Sequence, residues 1–167
     1  MLFRSLAVGR LVMRAASAHL VPVTLELGGK SPALVGPGAD LADAALRIVH
    51  DKVFNAGQIC VSPDYALVPR GQARAFADAA QAAFARLAPQ VQGDAEYTAI
   101  VSERHAARIR QLADDARRQG AEVIECARLG EGRQLPLQLL LNVSPTMAVM
   151  QEEIFGDRKS TRLNSSH

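Results

Sequence analysis

The central cysteine of the chain lies between two residues that restrict the backbone. Residues 54–65 read Phe-Asn-Ala-Gly-Gln-Ile-Cys-Val-Ser-Pro-Asp-Tyr. Gly57 precedes Cys60 and permits backbone angles that other residues resist, whereas Pro63 follows it and prevents a helix from continuing. A helical pattern precedes this segment and a β-like run follows it. The sequence therefore predicts a turn that presents one thiol between a helix and a strand.

Two interpretations of Cys60 are open at this stage. Backbone N–H groups at a turn or helix end favour a thiolate and can also bind an oxyanion, which would suit a nucleophile. Alternatively, Cys60 is a small buried apolar residue, which is the common state of an unpaired cysteine.

A single carboxylate stands in an otherwise apolar segment upstream. Residues 24–32 read Thr-Leu-Glu-Leu-Gly-Gly-Lys-Ser-Pro, and the apolar run 21–27 predicts a strand that ends at two glycines. A buried strand accepts a lone charge only when that charge is solvated, paired or neutralised. Glu26 is therefore a second candidate functional residue.

The two segments together resemble the paired motifs of the aldehyde dehydrogenase superfamily. The first is Glu-Leu-Gly-Gly-Lys at 26–30 and the second is Asn-Ala-Gly-Gln-Ile-Cys at 55–60. The 34 positions between Glu26 and Cys60 match the spacing in the family. A third segment, Glu-Glu-Ile-Phe-Gly at 152–156, resembles the family motif Glu-Glu-Ile-Phe-Gly-Pro, with Asp157 in place of the proline.

The resemblance implies an oxidoreductase that converts aldehydes to carboxylic acids with NAD or NADP. Cys60, as a thiolate, would attack the carbonyl carbon and form a thioester after hydride loss. Glu26 would then activate the water that hydrolyses this thioester.

The resemblance also implies cofactor contacts. These would come from Ser5, in a turn that packs near the cofactor, and from the backbone of Leu27 beside the nicotinamide. Glu153 would hold the nicotinamide ribose, and Phe155 would lie beside the cofactor. The choice between NAD and NADP stays open because the residue that reads the ribose 2′ position lies upstream of the matched region.

The substrate and the assembly follow from the same resemblance. The context of Cys60 in residues 59–65 is closest to the branch that handles coniferyl-type, aromatic and fatty aldehydes. Family members form homo-oligomers, but the strand used for subunit pairing and the second oxyanion donor are missing here. We therefore expect the isolated polypeptide to be inactive.

The predicted fold class is α/β with a parallel sheet, because amphipathic helices alternate with short apolar strands. Helices are predicted over 7–17, 40–53, 71–88 and 102–119, and strands over 21–27, 32–35, 65–68, 121–125 and 135–143. By resemblance, residues 1–30 end a dinucleotide-binding domain and residues 31–156 begin a catalytic domain. Residues 157–167 are polar and aperiodic, resemble a non-native tail, and are left out of the predicted fold.

Composition argues against several other classes of partner. The net charge is +2 and residues 157–167 carry all of it, so no basic surface for nucleic acid is predicted. Two cysteines and four scattered histidines show no metal-ligand spacing, and no apolar run approaches the ~20 residues that span a bilayer. We predict a cytoplasmic protein without a metal, a membrane contact or a nucleic-acid partner. An arginine-rich start also fits a mitochondrial transit peptide, but it resembles an internal helix of the family.

Two other functional classes stay open from the residues alone. One is a thiol-dependent acyl hydrolase that uses Cys60 and Glu26 without a cofactor. The other is a non-catalytic α/β remnant in which the motifs only pack.

Overall fold

The computed structural model describes residues 6–156 and 158–163. Five helices occur in this part of the chain: α1 (Leu6–Ser17), α2 (Leu41–Val53), α3 (Ala73–Leu87), α4 (Glu103–Arg118) and α5 (Ala148–Gln151). A short 3₁₀ helix spans Phe54–Gly57. The strands are β1 (Ser31–Leu34), β2 (Pro63–Val68), β3 (Glu122–Glu125), β4 (Gln138–Leu141) and β5 (Arg158–Leu163). None of the described helices has the length and hydropathy needed to cross a bilayer.

The strands form one sheet in the order β1-β2-β5-β4-β3. The pairs β1–β2, β2–β5 and β5–β4 are parallel, which confirms the predicted α/β class with a parallel sheet. β3 pairs antiparallel with β4, a feature that the predicted parallel sheet did not include. The connection from β3 to β4 contains no helix, and a parallel pair needs such a crossover.

Helices cover both faces of the sheet. α2 and α3 pack on one face, where Leu139 and Leu141 of β4 contribute to the core. α4 and α5 pack on the other face, against Leu140 of the same strand. All four residues of β4 are buried, and its three leucines face both sides of the sheet, as expected for a strand covered on both sides.

The predicted helix starts are confirmed by their caps. The Asp40 carboxylate accepts hydrogen bonds from the N–H groups of Ala42 and Asp43, at 2.8 and 3.2 Å, and α2 begins at the next residue. The Ser102 hydroxyl accepts from the N–H of His105 at 3.2 Å and begins α4. Such caps satisfy N–H groups that have no partner inside the helix.

The phenylalanines of α3 belong to the core, as the helical spacing predicts. Phe76 and Phe84 are fully buried, and the ring of Phe84 meets that of Tyr97 edge to face at 6.4 Å. The Tyr97 hydroxyl donates to the carbonyl of Leu135 at 2.9 Å, so this buried polar group is satisfied.

The strand predicted over residues 21–27 is wrong. Residues 21–30 form neither helix nor strand, although Val23, Leu25 and Leu27 alternate as half-buried side chains with exposed neighbours. A strand exists only through hydrogen bonds to a neighbouring strand, and no described strand lies against this segment. Glu26 is exposed, so it is not a carboxylate in a buried strand as expected.

The segment that the sequence excluded from the fold contributes a strand. The backbone of Arg158–Leu163 forms β5 between β2 and β4, with Ser160 opposite both Tyr65 and Leu140. Main-chain N–H and C=O groups of two neighbouring strands need partners whatever the composition of the segment between them. The polarity of this segment was therefore not a sufficient reason to leave it out of the sheet.

Gly57 allows a close approach of two backbone segments. Its φ is +67°, and it follows Asn55 and Ala56, whose φ values of 52° and 51° also lie in the left-handed region. A Cβ atom on Gly57 would lie 2.6 Å from the carbonyl oxygen of Gly156 and 2.8 Å from Nζ of Lys52. Glycine is therefore required here for its conformation and for its size.

We predict that Gly57→Ala destabilises the fold more than Gly71→Ala does. Gly71 also has a positive φ of +82°, but no atom lies within 4 Å of a Cβ built on it. Gly71→Ala should cost about 1–2 kcal/mol for the left-handed conformation, and Gly57→Ala about 1–3 kcal/mol more for the overlap. Urea denaturation followed by circular dichroism measures both. Equal unfolding free energies for the two variants would contradict the close approach at Gly57.

Candidate functional site at the junction of three motifs

One ammonium group connects the first and third motifs with the strand that follows the cysteine turn. Lys30, at the end of the Glu-Leu-Gly-Gly-Lys motif, donates to the carboxylate of Asp64 at 2.6 Å. Asp64 lies at the start of β2, four residues after Cys60. Lys30 also donates to the carbonyl oxygens of Val149 and Glu152, at 2.9 and 3.1 Å. The pair is largely shielded, with side-chain exposures of 17% and 4%.

Asp64 makes a second connection to the third motif. Its carboxylate accepts a hydrogen bond from the N–H of Ile154 at 3.3 Å. A buried carboxylate needs both a counter-charge and hydrogen-bond donors. Lys30 and Ile154 supply these two partners, from the first and third motifs respectively.

Cys60 lies on an exposed turn. The turn is closed by a hydrogen bond from the N–H of Ser62 to the carbonyl of Ile59 at 3.0 Å. The hydroxyl of Ser31 donates to the carbonyl of Cys60 at 3.3 Å, which ties the turn to the end of the first motif. Because Cys60 is exposed, the interpretation as a buried apolar residue is wrong, and the sulfur has the access that a nucleophile needs.

Gln58 holds the approach to Cys60 in place. Its amide N–H₂ donates to the carbonyls of Asn55 and Ala99, at 3.1 and 3.2 Å. Its amide oxygen accepts from the N–H of Val101 at 2.8 Å. The sequence assigned Gln58 no separate role, because both outer partners are main-chain atoms some 40 residues away and leave no pattern in the sequence.

Glu26 makes no described contact with the cysteine turn, and its role as a base stays a prediction. It is exposed, and among residues 6–156 no hydrogen bond or ion pair joins its carboxylate to Cys60. The contact between Ser31 and Cys60 instead brings the segment after Glu26 to the turn. The structure thus connects the two motifs through main-chain and hydroxyl groups.

The structure brings the carboxylate of Glu153 against the first motif. A Cβ atom on Gly28 would lie 2.7 Å from the carboxyl carbon of Glu153, and Gly28 has a φ of +78°. The other residues predicted to contact the cofactor do not lie together with Glu153 in one described contact. Phe155 is half-buried with its ring centre 6.2 Å from that of His105, and Leu27 packs against Gly9 of α1. Ser5 lies outside the described residues.

Two basic residues of α4 take roles that the sequence did not predict. The arginines of an amphipathic helix are ordinarily expected on its solvated face. Arg108 instead donates to the carbonyls of Glu153 and Ile154, at 2.6 and 2.9 Å. Arg110 donates to the carbonyls of residues 130–132. Arg108 also pairs with the Glu152 carboxylate at 2.9 Å. The other acceptors of both arginines are backbone atoms, which no charge pattern in the sequence marks.

A cavity of about 630 Å³ lies beside the turn that leads to Cys60. Phe54, Asn55, Gln58 and Ile59 line one part of it, and Glu96 and Thr98 line another. This space is open to solvent, and Cys60 itself does not line it. Among the described residues, no cluster of three or more His, Cys, Asp or Glu side chains could hold a metal ion.

Comparison with known proteins shows extensive similarity to one family. Two curated relatives are a probable coniferyl aldehyde dehydrogenase of Caulobacter vibrioides, 49% identical over 156 residues, and a coniferyl aldehyde dehydrogenase of Pseudomonas sp., 44% identical over 156 residues. Each match covers 90% of this chain and 32% of the relative, so the chain spans about a third of their length.

The fold is shared with solved structures and the sequence with the family profile. A substrate-bound AldH of Staphylococcus aureus is 36% identical, with a TM-score of 0.82 over 96% of this chain and 35% of that one. An NAD-dependent aldehyde dehydrogenase of Sinorhizobium meliloti is 32% identical, with a TM-score of 0.82 over 97% of this chain and 33% of that one. Residues 3–157 match the profile of the aldehyde dehydrogenase family. The chain therefore belongs to the aldehyde dehydrogenase family.

Proposed function

We propose that this chain carries the nucleophile and the nicotinamide contacts of an NAD(P)-dependent aldehyde dehydrogenase. The observation that carries the proposal is that the first motif, the third motif and the strand after the cysteine turn meet at the Lys30–Asp64 pair. A common junction would bring these segments, which are distant in sequence, close enough for their side chains to act on one substrate.

Cys60 is proposed as the nucleophile. Its sulfur would add to the carbonyl carbon of an aldehyde, and the oxygen would take the negative charge and need N–H donors. The backbone N–H of Cys60 is the donor proposed from this chain. The exposure of Cys60 and the hydrogen bonds that hold its turn support this role.

Glu26 is proposed as the general base of the second half-reaction. Its carboxylate would take a proton from the water that attacks the thioester on Cys60, which releases the carboxylic acid and the thiolate. An exposed carboxylate on a segment tied to the cysteine turn by Ser31 can reach water.

A bound nicotinamide dinucleotide would supply the hydride acceptor for this oxidation. Glu153 and Phe155 are the residues proposed to orient its nicotinamide end, together with the backbone of Leu27 and with Ser5. Because Gly28 has no Cβ atom, the Glu153 carboxylate can lie against the first motif. This position supports a role for Glu153 in orienting the nicotinamide end. The choice between NAD and NADP stays open.

Coniferyl-type or related aromatic and fatty aldehydes are the proposed substrate class. Relatives with 44–49% identity are named coniferyl aldehyde dehydrogenases, and the cysteine context in residues 59–65 favoured the same branch. The family-type homo-oligomer and the cytoplasmic location stay predictions.

A chimera tests the catalytic roles. Residues 6–156 would replace the aligned segment of the Caulobacter vibrioides relative, and reduced cofactor would be followed by absorbance with coniferyl aldehyde and NAD or NADP. We expect turnover that Cys60→Ser lowers by more than about a thousandfold, because the covalent route is lost. Cys126→Ser is the matched control and should retain activity.

The base is tested in the same chimera by Glu26→Gln. The expected result is a burst of reduced cofactor followed by a steady rate lowered by about 10²–10⁴-fold, because only thioester hydrolysis needs the base. Glu131→Gln, at an exposed glutamate, is the control. An unchanged steady rate in Glu26→Gln would remove Glu26 from the mechanism.

The isolated 167-residue chain should produce no reduced cofactor from a panel of aldehydes. It spans about a third of its relatives' length, and most of the expected cofactor contacts lie outside it. Cofactor reduction that depends on Cys60 would contradict this prediction. Ester cleavage without NAD(P) that Cys60→Ser abolishes would favour the acyl hydrolase, and a thiol inert to iodoacetamide would favour the non-catalytic remnant.

A further inference from the structure

Five consecutive backbone carbonyls in the third motif each accept a hydrogen bond from a basic side chain. The bonds are Lys30 to Glu152 O at 3.1 Å, Arg108 to Glu153 O at 2.6 Å and to Ile154 O at 2.9 Å, His105 to Phe155 O at 2.8 Å, and Lys52 to Gly156 O at 2.7 Å. We call these four side chains the carbonyl clamp.

The members of the clamp come from separate parts of the fold. Lys30 immediately precedes β1, and Lys52 lies in the last turn of α2, with an exposure of only 1%. His105 and Arg108 lie one turn apart on α4. α2 and α4 pack on opposite faces of the sheet, so the segment is held from both sides.

The clamped segment has no helix or strand of its own. Residues 152–156 make no regular secondary structure, and side chains therefore satisfy carbonyls that a ladder or helix would otherwise satisfy. Phe155 has a φ of +52°, in the left-handed region that a phenylalanine rarely adopts. Such a conformation persists only where the surroundings impose it, and the bond from His105 to its carbonyl is one such constraint.

The clamp fixes the direction of the Glu153 side chain. Its main-chain oxygen is bound by Arg108, and the next N–H, of Ile154, donates to Asp64. These two atoms belong to one peptide group, and Lys30 holds the preceding peptide group through the carbonyl of Glu152. With both peptide groups held, the Glu153 carboxylate lies against Gly28, where a Cβ atom would displace it.

We propose that Lys30, Lys52, His105 and Arg108 are positioning residues that hold Glu153 against Gly28. The consequence for the reaction rests on the proposed function, in which Glu153 orients the nicotinamide ribose. The clamp acts on the backbone, so these four residues need not touch the cofactor or the aldehyde.

NMR spectroscopy of the isotopically labelled 167-residue chain tests the proposal. Arg108→Gln removes the charge that bridges two carbonyls and pairs with the Glu152 carboxylate. Arg104→Gln makes the same change at an exposed position on the same helix. The Ile154 amide should exchange with solvent at least about tenfold faster in Arg108→Gln, because its segment opens locally. The nuclear Overhauser effect between the Gly28 α-protons and the Glu153 side chain should disappear. Arg104→Gln should leave both unchanged.

Urea denaturation of each variant separates positioning from general stability. A positioning role predicts faster exchange at residues 153–156. The exchange rates of the most protected core amides should change only by the amount that the shift in the urea midpoint accounts for. If all amides accelerate equally, or if the Glu153 contact with Gly28 survives in Arg108→Gln, the proposal is wrong. His105→Ala supplies a second variant, with the Phe155 and Gly156 amides as the readout, should Arg108→Gln unfold.

Gly28→Ala distinguishes the clamp from its consequence. It should displace the Glu153 carboxylate and leave exchange at Ile154 within twofold of the parent chain. None of these measurements involves cofactor, aldehyde or turnover. An inactive chimera would therefore refute the proposed function and leave the positioning proposal unaffected. Unchanged exchange in Arg108→Gln would refute the positioning proposal even if the chimera is active.

Discussion

The arrangement of the three motifs depends on one shielded ammonium group. Lys30 has three N–H bonds, and it directs them to a carboxylate of β2 and to two backbone carbonyls before and within the third motif. Burying this charge carries a desolvation cost that only full pairing offsets. Removing Asp64 or Lys30 alone would leave the other charge buried, at a typical cost of about 3–5 kcal/mol. The pair therefore specifies one arrangement of three distant segments.

The region around this pair is built mainly from irregular backbone. Gly57 permits contact between the cysteine turn and Gly156, and Gly28 permits contact between the first motif and Glu153. Irregular segments leave carbonyls without ladder partners, and basic side chains from both faces of the sheet supply the missing donors. Regular strands and helices thus act as a frame that brings glycines and cations to the same place.

Much of this was predictable because it depends on local physics. The caps at Asp40 and Ser102, the burial of Phe76 and Phe84, and the turn at Gly57 follow from side chains a few residues apart. The strand over residues 21–27 was not predictable in this way, because alternation sets only an extended shape and a strand also needs a neighbour.

The sequence by itself determined the family, the candidate nucleophile Cys60 and the order of the helices, because motif spacing and helical periodicity are properties of the chain alone. The tertiary structure decided that Cys60 is exposed, that Glu153 lies against Gly28 and that Arg108 binds carbonyls. It also decided that β3 is antiparallel and that residues 158–163 join the sheet. The acceptors in these contacts are largely backbone oxygens, which every residue carries. Only the folded chain selects which of them a given cation meets.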